Sequence, residues 1–343
     1  MKLEAKSVQK ISTDSATMTN ASPCDLNTAI ARTFGSQFFH KTEVIQPLWS
    51  GYGEIARYSS DSLTDSRVVK VVRPNVTKHH PRGWNTSRSH QRKLSSFTNE
   101  RYFYQYYAAL TDNLCRLPKY LASGTDGENS WVIMEDLNRA GFTLCYEQAD
   151  LDRVRLGLRW LAHFHARFLQ QSVKKVWAVG TYWHLHTRPD EWHKMPNGQL
   201  KAEAHTIDKK LNQASFQTLI HGDAKLANFC FSSEQNDLAA VDFQYVGKGV
   251  GIKDVIYFLG SCLNQNQLSR YSESLVDEYF VRLTHAISEY QSDIDCQALE
   301  REWRELYVFA WADFERFLLG WMPGHHKLNE YSKEQTEVAL SRL

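Results

Sequence analysis

The sequence has no excess of charge of either sign: 40 Lys and Arg stand against 39 Asp and Glu, a net charge of +1. So even a balance gives no electrostatic case for a nucleic acid or an anionic membrane surface as partner. Paired cysteines are missing too. Cys24, Cys115, Cys145, Cys230, Cys262 and Cys296 are scattered, with no C-x-x-C among them. They read as reduced, mostly buried thiols of a cytosolic protein, not as a metal site or a disulfide frame. No apolar run approaches the roughly 18 residues of a membrane span. The start of the chain, with Lys2, Glu4 and Lys6, has no apolar stretch of the secretory-signal kind, and Glu4 and Asp14 count against a mitochondrial presequence. The simplest expectation is a cytoplasmic protein; the sequence leaves its oligomeric state open.

What is present is a globular composition, 42% hydrophobic and rich in Trp, Tyr and Phe, over 343 residues. That length suits two lobes sharing a cleft better than one simple core. The most informative stretch runs from Leu219 to Gln244, LIHGDAKLANFCFSSEQNDLAAVDFQ. It sets His221, Asp223, Lys225, Asn228 and Asp242 beside two apolar runs. Phosphoryl transfer asks little covalent chemistry of a protein; it needs a group to orient the attacking hydroxyl and oxygen ligands for Mg²⁺. Asp223 suits the first role, and Asn228 with Asp242 the second. Five positions separate Asp223 from Asn228, so a short loop brings them together. Asp242 ends the run Leu238-Ala-Ala-Val241, which reads as a buried strand delivering a carboxylate to a site at its mouth. Either half alone would more often be a capped turn; the two in this order and spacing point to chemistry.

The pattern H-x-D-x-K-x-x-N followed by a strand and D-F resembles the protein-kinase catalytic loop and its metal-binding DFG. The form here, HGDAKLAN and VDFQ, is more similar to the aminoglycoside phosphotransferase and choline kinase group, and within it to the ecdysteroid-kinase-like branch of small-molecule kinases. His-Gly-Asp replaces His-Arg-Asp, Gln244 stands where DFG has its last Gly, and no A-P-E follows. These departures argue against a protein kinase with a phosphorylated activation loop. The resemblance implies an α+β, bilobal, protein-kinase-like fold, with a small antiparallel-sheet lobe and a larger, mainly helical one. It also implies ATP and Mg²⁺ as cofactors and a small-molecule alcohol as acceptor.

Residues 1–24, rich in Ser, Thr and Lys, read as a loose tail, and Asp25 to Phe34 as a short capped helix. Glu43 to Arg73 reads as three strands, the first two joined around Gly51-Tyr52-Gly53. Such a hairpin lets backbone N–H groups approach phosphate oxygens, though ordinary turns also carry Gly-x-Gly. Lys70 lies inside the run Val68-Val69-Lys70-Val71-Val72, where an unpaired ammonium would be costly. The resemblance makes it the lysine that holds the α- and β-phosphates, with Glu100, the only carboxylate of a helix over 95–110, as its partner. The alternative is a solvent-facing Lys70 and a surface Glu100. The insert Pro74 to Lys93, basic and His-containing, is expected as a mobile loop over the mouth of the site or a plain surface loop. Met134 and Glu135, at the end of a second strand pair, resemble the hinge that reads adenine through its backbone; a plain strand end is the bland alternative. The first lobe thus spans residues 25–136 and the second 137–343.

In the second lobe, Asp150 to Gln170 has apolar residues at helical spacing, a buried central helix. His163 and His165 face different sides, which argues against a metal pair. Helices are also expected over Lys201 to Ala214, 274–289, 299–319 and 332–343. Asp254 is either a brace for the catalytic loop, as the resemblance implies, or an ordinary helix cap. Lys225 suits neutralising charge on the transferred group, and His221 anchoring the loop. Trp311, Asp313, Glu315, Trp321 and His325 are the candidates for the acceptor side. Aromatic rings there would suit a quaternary amine or an apolar alcohol, acids a polycation. Aromatics outnumber acids, which leans towards a non-aminoglycoside alcohol. The rival readings are an aminoglycoside or choline/ethanolamine kinase, and a catalytically silent kinase-like nucleotide-binding protein.

Overall fold

The computed structural model describes residues 25–48, 51–60, 65–74, 87–291 and 293–343. Its first half is a five-stranded antiparallel sheet: β1 (Phe39–Pro47), β2 (Gly53–Ser60), β3 (Ser66–Val72), β4 (Tyr120–Asp126) and β5 (Asn129–Glu135), in the order β1-β2-β3-β5-β4. Alternation along β3 sends Val69 and Val71 to one face, where they pack with Trp131, Ile133 and, from helix α1 (Leu26–Phe34), Ala29, Ile30 and Phe34. That helix starts where Asp25 accepts the Thr28 N–H and stops at Gly35, in the left-handed region at φ 63°. The opposite face of β3 presents Lys70 to helix α2 (Ser87–Tyr106), whose Phe97 packs with Leu48, Tyr52 and Val72.

Helix α2 begins earlier than expected. Ser87 to Lys93, assigned to a basic loop from the sequence, form its first turns; residues 75–86, with Lys78, His79, His80 and Arg82, lie outside the described residues. The early turns are held by contacts no local pattern encodes: His90 Nδ1 pairs with the Tyr52 hydroxyl at 2.5 Å, and Arg92 donates to the Thr187 carbonyl at 2.9 Å.

The second half is helical. The buried α3 (Leu151–Phe168), capped by Asp150, packs along α8 (Gln265–Tyr290). Around them lie α4 (Pro189–Lys194), α5 (Gln199–Ala202), α6 (Ala204–Asn212), α7 (Ile252–Cys262), α9 (Cys296–Trp321) and α10 (Glu330–Ser341). The expected helix over 201–214 is two pieces, and its C-terminal end is shorter by two residues. Two ribbons, β6 (Thr218–Ile220) with β9 (Gly247–Gly249) and β7 (Phe229–Phe231) with β8 (Leu238–Ala240), carry the 219–244 stretch. Its core is aromatic: Trp160 stacks on Phe164 at 4.9 Å, and Phe103 of α2 stacks on Phe243 at 4.3 Å, joining the sheet half to the helical half. Among the described residues no helix is long and apolar enough to cross a membrane. The cysteines correct one expectation: of the five described, only Cys115 is buried, and Cys145 is exposed.

Candidate functional site

Strand β6 ends at Ile220, and the chain turns through Gly222 at φ 78°; a Cβ there would lie 2.1 Å from the Tyr245 carbonyl oxygen, so only glycine fits. The turn is pinned by Asp254, fully buried on α7. Its carboxylate accepts the N–H of His221 at 2.6 Å and of Gly222 at 3.0 Å, and it meets His165 Nε2 at 3.1 Å. Asp254 therefore braces the loop; the cap position of α7 is Gly251 instead. His221 Nε2 donates to the Val241 carbonyl at 3.0 Å, which ties the turn to the strand that delivers Asp242.

This framing brings Asp223, Lys225, Asn228 and Asp242 together. Lys225 Nζ lies 3.0 Å from Asp223 Oδ2, and the Asn228 amide donates to the Asp223 carbonyl at 2.8 Å and to Oδ2 at 3.3 Å. With its nitrogen so used, Asn228 keeps Oδ1 for another partner. The Val241 N–H donates to the Asn228 carbonyl at 2.9 Å, so the two arms of the stretch are adjacent. Asp242, at φ 67°, accepts from Gln244 Nε2 at 2.7 Å and Lys70 Nζ at 3.4 Å, both through Oδ1. Among the described residues its Oδ2 has no hydrogen bond, leaving two hard oxygen donors, one from each arm.

Lys70 and Glu100 are both buried and form an ion pair at 2.5 Å, so neither is the surface residue of the bland alternative. Burial alone would lower the Lys70 pKa; Glu100 and Asp242 outweigh it and hold the ammonium charged. Asp242 is the mirror case: burial would raise it, but Lys70, Lys225 and His221 keep it below the usual carboxylate range. Asp223 is pushed up, chiefly by burial and further by the Asp242 charge, with Lys225 opposing. Two carboxyls in one cleft are thus driven apart, one towards a basic role and one towards permanent ionisation. Tested against Mg²⁺ and a triphosphate, the donors fit. Magnesium on phosphates takes one or two protein oxygens and keeps water for the rest, so it needs no cage of three or more His, Cys, Asp or Glu, and none occurs among the described residues.

The other candidates are placed less favourably. Gly51 is open at φ 73°, but at Gly53 a Cβ would sit 2.0 Å from the Val71 carbonyl oxygen, a need of the hairpin whether or not it meets a nucleotide. Met134 lies inside the sheet, opposite Val68 and Tyr120, and the Glu135 N–H donates to the Lys119 carbonyl at 2.9 Å while its carboxylate binds Arg116. The Glu135 N–H is therefore committed to the Lys119 carbonyl. On the acceptor side, Trp311 and Asp313 are corrected into the core. Trp311 is 1% exposed against Tyr331, and Asp313, fully buried, holds Lys253 at 3.0 Å, Arg316 at 2.8 Å and the Trp183 indole at 3.0 Å. Glu315 is buried as well.

Trp321 and His325 do reach the cleft. They line a cavity of about 220 Å³ with Tyr182, Asp223, Lys225, Tyr245, Tyr257 and Lys327. A larger cavity, about 330 Å³, lies between α2 and residues 175–178 and contains none of the candidate residues except by way of their helix. The tyrosines and Lys327 were missed from the sequence. Tyr182 belongs to a segment rich in Trp and His, residues 180–194, and Tyr245 stands three positions past Asp242, but Lys327 follows a helix break with no pattern around it. Its ammonium rests over the Tyr257 ring at 4.4 Å, and burial lowers its pKa to about 8.

A sequence profile of the ecdysteroid kinase-like family matches residues 73–175 and 168–292. The comparison with curated proteins gives no match. Among solved structures, choline kinase from Cryptosporidium parvum Iowa II superposes with a TM-score of 0.52 at 10% identity, over 89% of this chain and 89% of that one. An aminoglycoside phosphotransferase from Streptomyces rimosus gives 0.48 at 14% identity, over 84% and 96%. A Plasmodium vivax ethanolamine kinase gives 0.45 at 12%, over 88% and 82%. At such identities the likeness to the choline kinase is one of fold.

Proposed function

The chain belongs to the ecdysteroid kinase-like family, and on that premise we propose that it moves the γ-phosphoryl group of ATP onto a hydroxyl of a small molecule. The observation that carries the reading is the convergence of the Asp223–Asn228 arm and the Asp242 arm beside the buried Lys70–Glu100 pair. Asn228 Oδ1 and Asp242 would hold Mg²⁺, which would neutralise charge developing on the phosphates. Lys70, kept charged by its two carboxylate neighbours, would bind the α- and β-phosphates. Asp223, made more basic by burial, would orient the acceptor hydroxyl and take its proton. Lys225 would neutralise charge on the transferred group, and His221 would hold the loop in register.

The acceptor reading rests on the charge of the small cavity. It has one carboxylate, Asp223, already paired with Lys225, and a second ammonium, Lys327. A polycationic aminoglycoside would meet net repulsion there. A quaternary amine would share the cavity with the Lys327 ammonium, which already covers the Tyr257 ring. The walls that remain, Tyr182, Tyr245 and Trp321, suit stacking against an uncharged alcohol. The test is phosphoryl transfer from labelled ATP to a panel of neutral, quaternary-amine and aminoglycoside alcohols, with the wild-type chain and Asp223→Asn. Transfer to a neutral alcohol that vanishes in Asp223→Asn while ATP still binds is the expected outcome. Nucleotide binding without transfer to any of them would favour a silent kinase-like protein, and full activity in Asp223→Asn would remove the base assignment.

A further inference from the structure

Outside the cleft, two cysteines 85 positions apart in sequence face each other across a backbone pair. Leu144 and Phe231 exchange both hydrogen bonds: the Leu144 N–H donates to the Phe231 carbonyl at 3.1 Å, and the Phe231 N–H returns to the Leu144 carbonyl at 2.7 Å. In an antiparallel ladder the next pair along is the non-hydrogen-bonded one, whose Cα atoms lie closer, about 4.5 Å apart. That next pair is Cys145 opposite Cys230, and a disulfide asks for Cα atoms about 4.4–6.8 Å apart. The two sulfurs are 3.9 Å apart. Closing the bond brings the sulfurs from 3.9 Å to about 2 Å, a movement within the reach of the two side chains.

We propose that Cys145 and Cys230 form a site of reversible oxidative modification, closed to an intramolecular disulfide by hydrogen peroxide. Cys145 is exposed and Cys230 half-buried behind it, which orders the roles. The thiolate of Cys145 attacks one oxygen of the peroxide; the O–O bond breaks, Cys145 becomes a sulfenic acid, and water leaves once the departing oxygen takes a proton. The Cys230 sulfur then attacks the sulfenic sulfur, the S–O bond breaks and a second water leaves. Two thiols lose two electrons and two protons, and the peroxide gains them. The Cys230 thiol, hydrogen-bonded to Cys145, lowers the Cys145 pKa below the ordinary thiol value, which favours its thiolate. The remaining described cysteines are poor competitors: burial raises the Cys115 and Cys262 thiols to about 12 and also raises Cys296.

The bridge would tie the segment ahead of α3 to β7, which starts at the residue after Asn228. The proposal does not depend on what Asn228 binds. It is tested on the full chain, reduced and then titrated with hydrogen peroxide, alkylated, digested without reductant and read by mass spectrometry. The expected product is a Cys145–Cys230 crosslinked peptide pair, lighter by two hydrogens and restored by dithiothreitol, with Cys115, Cys262 and Cys296 unmodified. The crosslinked chain should melt several degrees above the reduced one. In Cys230→Ser, and separately in Cys230→Ala, the sulfenic acid at Cys145 should persist and be trapped by dimedone, where wild type gives little adduct. Cys145 passing to sulfinic or sulfonic acid without a crosslink, or a crosslink to another cysteine or another copy, overturns the proposal. Should both Cys230 variants misfold, the wild-type peptide map decides alone.

Discussion

Replacing Asp254 by Ala removes the one acceptor shared by the His221 and Gly222 amides and by His165 Nε2, at 2.6, 3.0 and 3.1 Å, in a place with no access to water. A buried donor left without a partner costs about 1–3 kcal/mol. With two of these donors on the loop and the third, His165, on α3, the loss of stability should be about 3–9 kcal/mol by that rule. Asp254→Asn keeps the shape and one oxygen but turns an NH₂ towards a backbone N–H, so its loss should be about 2–3 kcal/mol by the same rule. The second consequence is kinetic. The turn carries Asp223, and a misplacement of about 1 Å in a reacting group costs on the order of 10²-fold in rate. Urea unfolding gives the first quantity. Phosphoryl transfer to the best alcohol of the panel, measured on Asp254→Asn well below its unfolding transition, gives the second. Wild-type urea midpoint and wild-type turnover in Asp254→Ala would refute the brace.

Other predictions concern pH and charge. Because a base must be ionised to act and the Asp223 pKa is raised, the wild-type rate should fall as pH drops through a value above the ordinary 3.8 of an aspartate, as a pH–rate profile would show. Asp313 is held down to about 2 by Lys253 and Arg316 against an unfolded value of 3.8. Its contribution is complete above that unfolded value and is lost as pH falls towards about 2, so Asp313→Asn should lose this part of the acid-unfolding curve. At neutral pH the same substitution leaves two buried cations without a counter-charge and should cost about 3–5 kcal/mol in urea unfolding. Lys327 falls from 10.5 to about 8 on folding. Between those values the unfolded chain binds more protons, so wild-type stability should rise with pH there relative to Lys327→Met, as melting curves of the two chains would show. A parallel pH profile for the pair would remove the buried-ammonium account.

The convergence within 219–244 was legible because it depends on spacing along the chain. Asp223, Asn228 and Asp242 sit on one turn and one strand end, where local sequence decides geometry. Lys70 and Glu100 could be paired because a lysine inside a run of valines needs a counter-charge and the family resemblance places it on the following helix, where Glu100 is the only carboxylate. The five strands followed from alternation and turns, and the central helix from its apolar period. What was misread depends on contacts between distant segments. The first turns of α2 look like a loop because Arg88, Arg92 and Lys93 have no apolar period; their anchors are Tyr52 and Thr187. Trp311 and Asp313 stood out as an aromatic beside an acid on a late helix. Yet Asp313 answers two cations, one from α7, and no pattern on α9 announces it. Lys327 was overlooked for the converse reason: one lysine past a helix break gains its meaning only from the rings and charges around it. The facing of Cys145 and Cys230 is of the same kind, set by a single bridge between Leu144 and Phe231.

The central claim is that Asn228 and Asp242 hold a divalent ion on the nucleotide that Lys70 grips. It is tested most directly by calorimetric titration of a non-hydrolysable ATP analogue into the wild-type chain and Asp242→Asn, each with and without Mg²⁺. The account predicts that Mg²⁺ tightens binding to the wild-type chain by about tenfold or more, or about 1.4 kcal/mol, and that Asp242→Asn loses this gain while still folding. Equal affinity with and without Mg²⁺ in the wild-type chain, or an undiminished gain in Asp242→Asn, would contradict it.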